Sequence, residues 1–153
     1  MANAVLYDVL LAVQSEIRAL SLDGIAGCNI VVQKVPSDQP KDLPASRFPA
    51  VLIAPYGPEV LNSSDGTNSR DDILYPVVVV LLAADNGNQT SNFNTYLTWR
   101  ETIRRSFHNQ ALSTLCYQVQ VQPQDIVDRS AWFDRNLFAS GLVLRCFSRE
   151  GRL

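Results

Sequence analysis

Residues 72–84, DILYPVVVVLLAA, form the densest apolar stretch of the chain and decide its fold class. Val77–Val80 are four consecutive β-branched residues, and residues of this type favour strands over helices. The continuous apolar run Val77–Ala84 is far shorter than the roughly 18 residues that a membrane-spanning helix needs. The stretch therefore predicts a buried strand in the middle of a sheet.

A second apolar stretch, Ala50–Tyr56, precedes this strand and is also predicted to be a strand. The residues between the two, Asn62–Asp72, are rich in Ser, Asn, Asp and Gly. Two strands around a polar segment are typical of a hairpin. The predicted tip is longer than a simple hairpin requires, and loops of that length commonly carry function.

Alternating or apolar runs predict the remaining strands. Tyr117, Val119 and Val121 alternate with glutamines, so this segment is predicted to turn these three side chains to the core. A strand over Leu137–Phe147 is predicted to place Phe138 and Leu144 on one face. Ile30–Val35 is predicted to be a further strand, and Asp125–Arg129 are predicted to extend the strand that contains Tyr117 or to pair with it. The proline-rich segment Pro36–Pro49 is predicted to be a stiff connection.

Two amphipathic helices complete the predicted fold. Residues 4–20 show an apolar stripe, with Asn3 as the expected N-cap and Gly24 just beyond the end. The second helix, 92–109, carries a stripe that includes Tyr96, either Trp99 or Arg100, and Ile103. Ser130–Arg135 are predicted to form a turn or short helix. We therefore expect a single α+β domain over residues 1–153, with a mostly antiparallel β-sheet, two α-helices on one face and a long β-hairpin.

Composition sets limits on function. The 153 residues suit one domain, and 46% hydrophobic residues suffice for a core. A formal net charge of −2 argues against a protein whose main task is nucleic-acid binding. Asp8 interrupts the first apolar run, so no signal peptide is expected and a reducing cytoplasm is the predicted place of synthesis. Cys28, Cys116 and Cys146 are widely spaced and are expected to be buried free thiols rather than a zinc site.

The sequence offers no recognisable catalytic or cofactor motif. His108 is the only histidine, and its place near a predicted helix end favours a structural role. The seven glycines form no phosphate-binding loop. The acidic residues considered as acid, base or metal-ligand candidates are interpreted as solvated loop charges; they are Asp71, Asp72, Asp125, Asp128 and Asp134. We therefore expect no enzyme, no cofactor and no metal.

Arginine makes up eleven of the thirteen basic residues. Its planar guanidinium binds carboxylates bidentately and is common in protein interfaces. Arg100, Arg104 and Arg105 lie close together on the second predicted helix, where Glu101 is placed to pair with Arg105. The cluster is consistent with an ordinary solvated helix face, with an interface for an acidic partner, or with the wall of a pore.

The pattern as a whole resembles the tail terminator and tail-completion proteins of tailed bacteriophages. The resemblance lies in AVLYDVL at residues 4–10, FPAVLI at 48–53, YPVVVV at 75–80, WRETIR at 99–104 and LVLRC at 142–146, and it covers about residues 4–148. It implies a structural virion protein without catalysis. Such a protein forms a ring, hexameric in this family, that caps the head-proximal end of the tail tube, stops polymerisation and lets the neck dock.

The resemblance also implies partners: further copies of the chain, the tail tube protein, a neck or head–tail connector protein and, as a further candidate, the tail sheath. DNA would pass through the ring without specific binding, no membrane would be involved, and the protein would be made in the host cytoplasm and end in the virion. We expect interface segments at 59–72, including the hairpin tip, and at the C-terminal residues 145–153. The candidate interface residues are Glu59, Arg70, Asp71, Asp72, Arg100, Arg104, Arg105, Arg145, Arg149 and Arg152.

Three alternatives stay open at this point. Another neck or head–tail joining ring would show the same core pattern. A small α+β enzyme or ligand-binding domain would show a concave apolar pocket with a few perturbed polar groups. A secreted, glycosylated interaction domain is suggested by two sequons, at Asn62 and Asn88, but would need a leader segment.

Overall fold

The computed structural model describes residues 2–35, 48–62, 70–84 and 90–152. Within this part of the chain it has three α-helices and seven strands. The helices are α1 (Val5–Ala19), α2 (Phe93–Phe107) and α3 (Arg129–Arg135). The strands are β1 (Ile30–Val32), β2 (Ala50–Pro55), β3 (Val60–Asn62), β4 (Arg70–Ala84), β5 (Gln110–Leu112), β6 (Cys116–Pro123) and β7 (Leu137–Gly151). The predicted α+β class and mostly antiparallel sheet are confirmed.

All seven strands join one sheet in the order β1-β2-β4-β7-β6-β5, with β3 paired to β4. Among the described strands, β1 and β2 form the only parallel pair. Strands β4 and β7 are paired over their whole length, from Arg70 opposite Gly151 to Ala84 opposite Leu137. The apolar stretch that decides the fold class therefore lies at the centre of the sheet, as predicted.

The predicted long hairpin is present. Strand β2 runs antiparallel to the C-terminal half of β4, and β3 continues along its N-terminal half, with Val60 opposite Leu74. Arg70–Asp72, predicted to belong to the polar tip, are part of β4. Residues 63–69 of that tip and 36–47 of the proline-rich connection lie outside the described residues.

Helices α1 and α2 cover one face of the sheet, as predicted. Their buried side chains, among them Val13, Ile17 and Ile103, share one apolar cluster with strand residues such as Val79 and Leu144. Burial of each such side chain contributes about 1.5–3 kcal/mol to folding. On the opposite face, Ala131 of α3 packs in a second cluster with Leu52, Leu82, Leu137 and Ala139.

The start of α1 differs from the prediction. Its N-cap is Ala4, which has no capping side chain. Asn3 lies one residue too early for this position, and its Nδ2 donates instead to Asp8 Oδ1 at 2.9 Å. The predicted Asn3 cap is therefore wrong, and packing of the apolar stripe rather than a cap stabilises this helix.

The region around β5 and β6 contains three further corrections. Asp125–Arg129 do not form a strand; the loop before α3 instead runs beside β7, where the N–H of Gln124 donates to Gly141 O at 3.1 Å. Strand β5 was not predicted. Tyr117 is 52% exposed rather than buried. Cys116 and Val119 are both buried although they lie three residues apart, so the alternation is interrupted and Tyr117 turns outward.

The prediction of buried free thiols is confirmed for two of the three cysteines. Cys116 and Cys146 are buried free thiols in the core, whereas Cys28 is exposed in the turn before β1. No helix among the described residues has the length and apolar character to cross a membrane.

Candidate assembly interface

The two sequence segments predicted as interfaces meet in space. Strand β3, residues 70–74 of β4 and residues 147–151 of β7 form a three-stranded extension of the sheet, which we call the ribbon. Strand β6 accompanies β7 only as far as the pair Gln118 and Phe147, so the ribbon continues beyond it. The ribbon and its flanks carry seven of the predicted interface residues: Glu59, Arg70, Asp71, Asp72, Arg145, Arg149 and Arg152.

Asp72 and Arg149 join the two long strands of the ribbon. They are direct cross-strand neighbours, and Arg149 Nε and Nη2 lie 2.7 and 3.3 Å from the two oxygens of Asp72. The hydrogen bond from Arg149 lowers the pKa of the Asp72 carboxyl below its usual value, against the opposing effect of burial. The interpretation of Asp72 as a solvated loop charge is therefore wrong, because the residue is buried in a strand and ion-paired.

Two further contacts fasten the end of the ribbon. Arg152 binds Asp71 Oδ1 at 2.8 Å, and the Asp71 hydrogen bond raises the pKa of this arginine. The Tyr75 hydroxyl donates to Glu150 Oε1 at 2.7 Å, and burial together with this carboxylate raises the pKa of Tyr75. Asp71 and Asp72 thus have different arginine partners, as expected for adjacent residues whose side chains point to opposite faces of a strand.

The sheet surface opposite α1 and α2 carries an arginine and aromatic cluster next to the ribbon. The Arg145 guanidinium lies 5.7 Å from the centre of the Phe147 ring, and Arg149 lies 5.5 Å from that of Tyr117. The two rings are 6.3 Å apart. Arginine and aromatic side chains of this kind are typical of interface hot spots. Sequence reasoning missed the cluster because it assigned Tyr117 to the core.

Arg100 does not share a surface with Arg104 and Arg105. It is buried beneath the sheet, and its guanidinium donates to Ser140 Oγ at 2.6 Å, to Gly141 O at 2.7 Å and to Gln124 O. Burial is the main cause that lowers the pKa of Arg100. The predicted cluster of three arginines on one exposed face is therefore wrong. Arg100 instead holds the loop after β6 against β7.

Arg104 and Arg105 lie on the exposed side of α2. Both are near Glu101, at 3.8 Å for Arg104 and within direct ion-pair contact for Arg105. The predicted pair of Glu101 and Arg105 is confirmed. An acidic partner for Arg104 and Arg105 remains a prediction.

Of the remaining acidic candidates, Asp134 is exposed on α3, and the other two border a surface concavity of about 480 Å³. Asp125 and Asp128 line it together with residues of β4 and β7. Asp128 is the N-cap of α3, since its Oδ1 accepts the Ala131 N–H at 3.3 Å. Among the described residues, no group of three or more His, Cys, Asp or Glu side chains is placed to hold a metal ion.

His108 has a structural contact. It follows the last residue of α2 as the C-cap, and its Nδ1 accepts a hydrogen bond from the Val121 N–H at 3.1 Å. The side chain therefore connects the end of α2 to β6, in agreement with the structural role expected from the sequence.

Comparison with known proteins identifies a shared fold. No protein-family model and no curated protein matches the chain. Among solved structures, a chain from the virion of a native gene transfer agent particle is similar with a TM-score of 0.59 and 15% sequence identity. The alignment covers 97% of this chain and 100% of that chain. The similarity therefore extends over the whole architecture rather than over one motif.

Proposed function

We propose that the chain is a structural virion protein of a phage-like particle. In this proposal it forms a closed ring, of six copies in the resembled family, at the head-proximal end of the tail tube. The ring ends tube polymerisation and presents a docking surface to the neck. The protein is made in the host cytoplasm and functions in the virion.

The observation that carries the proposal is the full-length fold similarity to a virion chain of a gene transfer agent particle. The ribbon adds support from the chain itself. It brings both predicted interface segments together in a stiff, ion-paired extension of the sheet. A stiff extension of this kind is suited to contact a neighbouring copy in a head-to-tail ring, in which the same two patches are used at every interface.

The proposed partners have different positions around the ring. Copies of the chain contact one another through the ribbon, the tail tube protein lies below the ring, and a neck or connector protein lies above it, with the sheath as a further candidate. DNA passes through the centre without specific binding, in keeping with the net charge of −2. No catalytic step is part of this proposal.

A second candidate of the same structural class is a neighbouring neck ring. The fold similarity favours it equally, because the gene transfer agent comparison concerns a virion chain and not a position along the tail. The two candidates differ in what they bind: a terminator binds the open end of a tail tube, and a neck ring binds the connector.

The proposal is tested by the mass of the purified protein, measured by light scattering over a dilution series with negative-stain images of the same peak. Isolated tail tubes, and separately the connector, are then added. Rings with a central hole, or binding at one end of the tubes, support the terminator role. Binding to the connector alone supports the neck-ring role. A monomer that binds neither contradicts both and favours the ligand-binding or enzymatic alternative.

A further inference from the structure

Two outer edges of the sheet are protected. At β1, the backbone oxygen of Ile30 accepts hydrogen bonds from Gln14 Nε2 at 2.9 Å and Arg18 Nη2 at 3.1 Å, so side chains of α1 bind the edge. At the other end, the pairing of β5 with β6 shifts in register. Capping and irregular pairing both reduce the tendency of an edge to accept another strand.

At the C-terminal end of β7 the pairing with β6 stops at Phe147, and the turn before β6 contacts β7 at Ser148, whose Oγ donates to Leu115 O at 2.9 Å. The backbone oxygens of Ala139 and Gly141 accept hydrogen bonds from Asp128 and Gln124, which lie on the β6 side of β7. Backbone groups alternate in direction along a strand, so the odd-numbered residues of β7 all point to that side. The N–H and C=O groups of Arg149 and Gly151 therefore point to the side that β6 no longer covers in the described structure.

Strand β3 has a matching edge on the other side of the ribbon. Pro76 O accepts from the Tyr56 N–H, so the even-numbered residues of β4 point toward β2 and β3. Val60 and Asn62 are opposite even-numbered residues of β4 and direct their backbone groups to it. Leu61, between them, directs its N–H and C=O outward, where no strand of the described residues pairs with it, and its side chain is 70% exposed.

We propose that β3 of a second copy adds to the C-terminal end of β7 as a parallel strand and thereby joins neighbouring copies of the ring. Both β3 and β7 are antiparallel to β4, so they run in the same direction. Rotation about a ring axis along the strands preserves this direction, and the contact between copies is therefore parallel. This inference rests on the proposed ring and identifies the surface that closes it.

The open groups of Leu61 match two of the open groups of β7 in spacing. In a parallel pair, one residue donates to the residue before its opposite neighbour and accepts from the residue after it. Opposite Glu150, the N–H of Leu61 of the partner subunit donates to Arg149 O, and its C=O accepts from the Gly151 N–H. Both outward groups of Leu61 and two of the four outward groups of Arg149 and Gly151 are thus paired, and closure of the ring covers part of each open edge.

The side chains agree with the same register. Leu61 is opposite Ile73 and Glu150 is opposite Asp71, and these two β4 residues share one face of the sheet. Leu61 of the partner subunit and Glu150 therefore lie on the same face, as a parallel pair requires. On the other face, Val60 of the partner subunit, 49% exposed in the single chain, comes beside Arg149 and the Tyr117 ring.

A double variant tests the register by cross-linking. Leu61→Cys and Glu150→Cys are introduced together in a Cys28→Ser background, so that no other exposed thiol among the described residues competes. Oxidised glutathione is added to the assembled protein; each new bond between copies forms from two thiols, and the glutathione disulfide is reduced to two glutathione thiols. We expect a ladder of covalent oligomers on a non-reducing gel.

Matched variants separate the possible outcomes. Leu61→Cys combined with Arg149→Cys places the thiols on opposite faces of the sheet, so we expect at least tenfold less cross-linking than with Leu61→Cys and Glu150→Cys. Each single cysteine variant is expected to give dimers at most. Thermal melts confirm that all variants are folded. Rings that form without a Leu61 and Glu150 cross-link overturn this interface but leave the ring intact. A monomer that also fails to bind tube ends and connector overturns the proposed function as well.

Discussion

Strands β4 and β7 pass through two different environments. At one end, around Val79 and Leu142, both strands are buried between helices on one face and α3 with its neighbours on the other. At the ribbon end, around Asp72 and Arg149, the same strands carry ion pairs and have open edges. The buried end determines the fold, and the ribbon end is the part free to contact other chains.

The two ends also differ in how their polar groups are satisfied. Arg100, near the buried end, has only backbone and hydroxyl acceptors from its own chain in contact with its guanidinium. The arginines of the ribbon are themselves about half exposed while they bind the carboxylates of Asp72 and Asp71. Loss of a polar contact is therefore expected to cost more stability at the buried end than in the ribbon.

The largest effect is expected from a cavity at the buried end. Leu144 is fully buried in β7, and Leu144→Ala is expected to lower the free energy of unfolding by about 2–5 kcal/mol, because the cavity is surrounded by packed strands. Urea melts followed by circular dichroism measure this loss. Leu61→Ala, at an exposed apolar position of the ribbon, is the control and is expected to change stability little. Equal losses of stability for both variants would show that the packed part of these strands and the ribbon do not differ in their contribution to folding.

The next effect is expected at Arg100. Arg100→Met leaves Ser140 Oγ and Gln124 O without the guanidinium donor and removes one of the two donors to Gly141 O, which is expected to cost about 2–3 kcal/mol. Arg104→Met, one turn further along the same helix but exposed, is the control. Denaturant melts measure the free energy of unfolding of the two variants. If Arg100→Met is as stable as Arg104→Met, the buried contacts of Arg100 contribute no net stability.

A smaller, pH-dependent effect is expected in the ribbon. The pKa of Asp72 is lower in the folded protein than its usual value of 3.8 because Arg149 stabilises the carboxylate. The ion pair therefore stabilises the fold above pH 3.8, and this contribution is lost as the pH falls through the lower folded pKa. Thermal melts at decreasing pH should show Asp72→Asn less stable than wild type at pH 7, with a difference that shrinks as the pH falls below 3.8. A difference that does not shrink in acid would exclude the ion pair as its cause.

The smallest effect on stability is expected on the exposed side of α2. Reversal of both Arg104 and Arg105 to Glu should change the free energy of unfolding by no more than about 1 kcal/mol, because exposed ion pairs contribute little. If these arginines meet an acidic partner, the same variant should bind tube or neck more weakly at low salt, and the difference should shrink as salt screens the charges. Unchanged binding at low salt would identify an ordinary solvated helix face.

Local patterns in the sequence predicted the buried end well. The apolar run of β4, the stripes of α1 and α2 and the alternation in β7 each follow from a period of 2 or 3.6 residues, and all four elements are present. The ribbon was predicted only as two separate segments. Asp72 and Arg149 are 77 residues apart, and nothing in the local sequence connects them.

The errors have physical reasons as well. Arg100, Arg104 and Arg105 are the same residue type within six positions, so spacing alone did not show that the first is buried while the others are exposed. An interrupted alternation at the start of β6 turned Tyr117 outward, and such interruptions leave no mark in the pattern of residue types. In both cases the local sequence is compatible with a buried and with an exposed side chain, and tertiary contacts determine which of the two is adopted.

The most direct test of the central claim compares wild type with Leu61→Pro by light scattering over a dilution series, with tail tubes added in a second series. Proline at this position removes only the outward N–H of β3 and keeps the bonds from Val60 and Asn62 to β4, so the fold and its melting temperature should be unchanged. We expect rings or tube-end binding for wild type and folded monomers for Leu61→Pro. Rings of unchanged stability in the variant would contradict assembly through the ribbon edge.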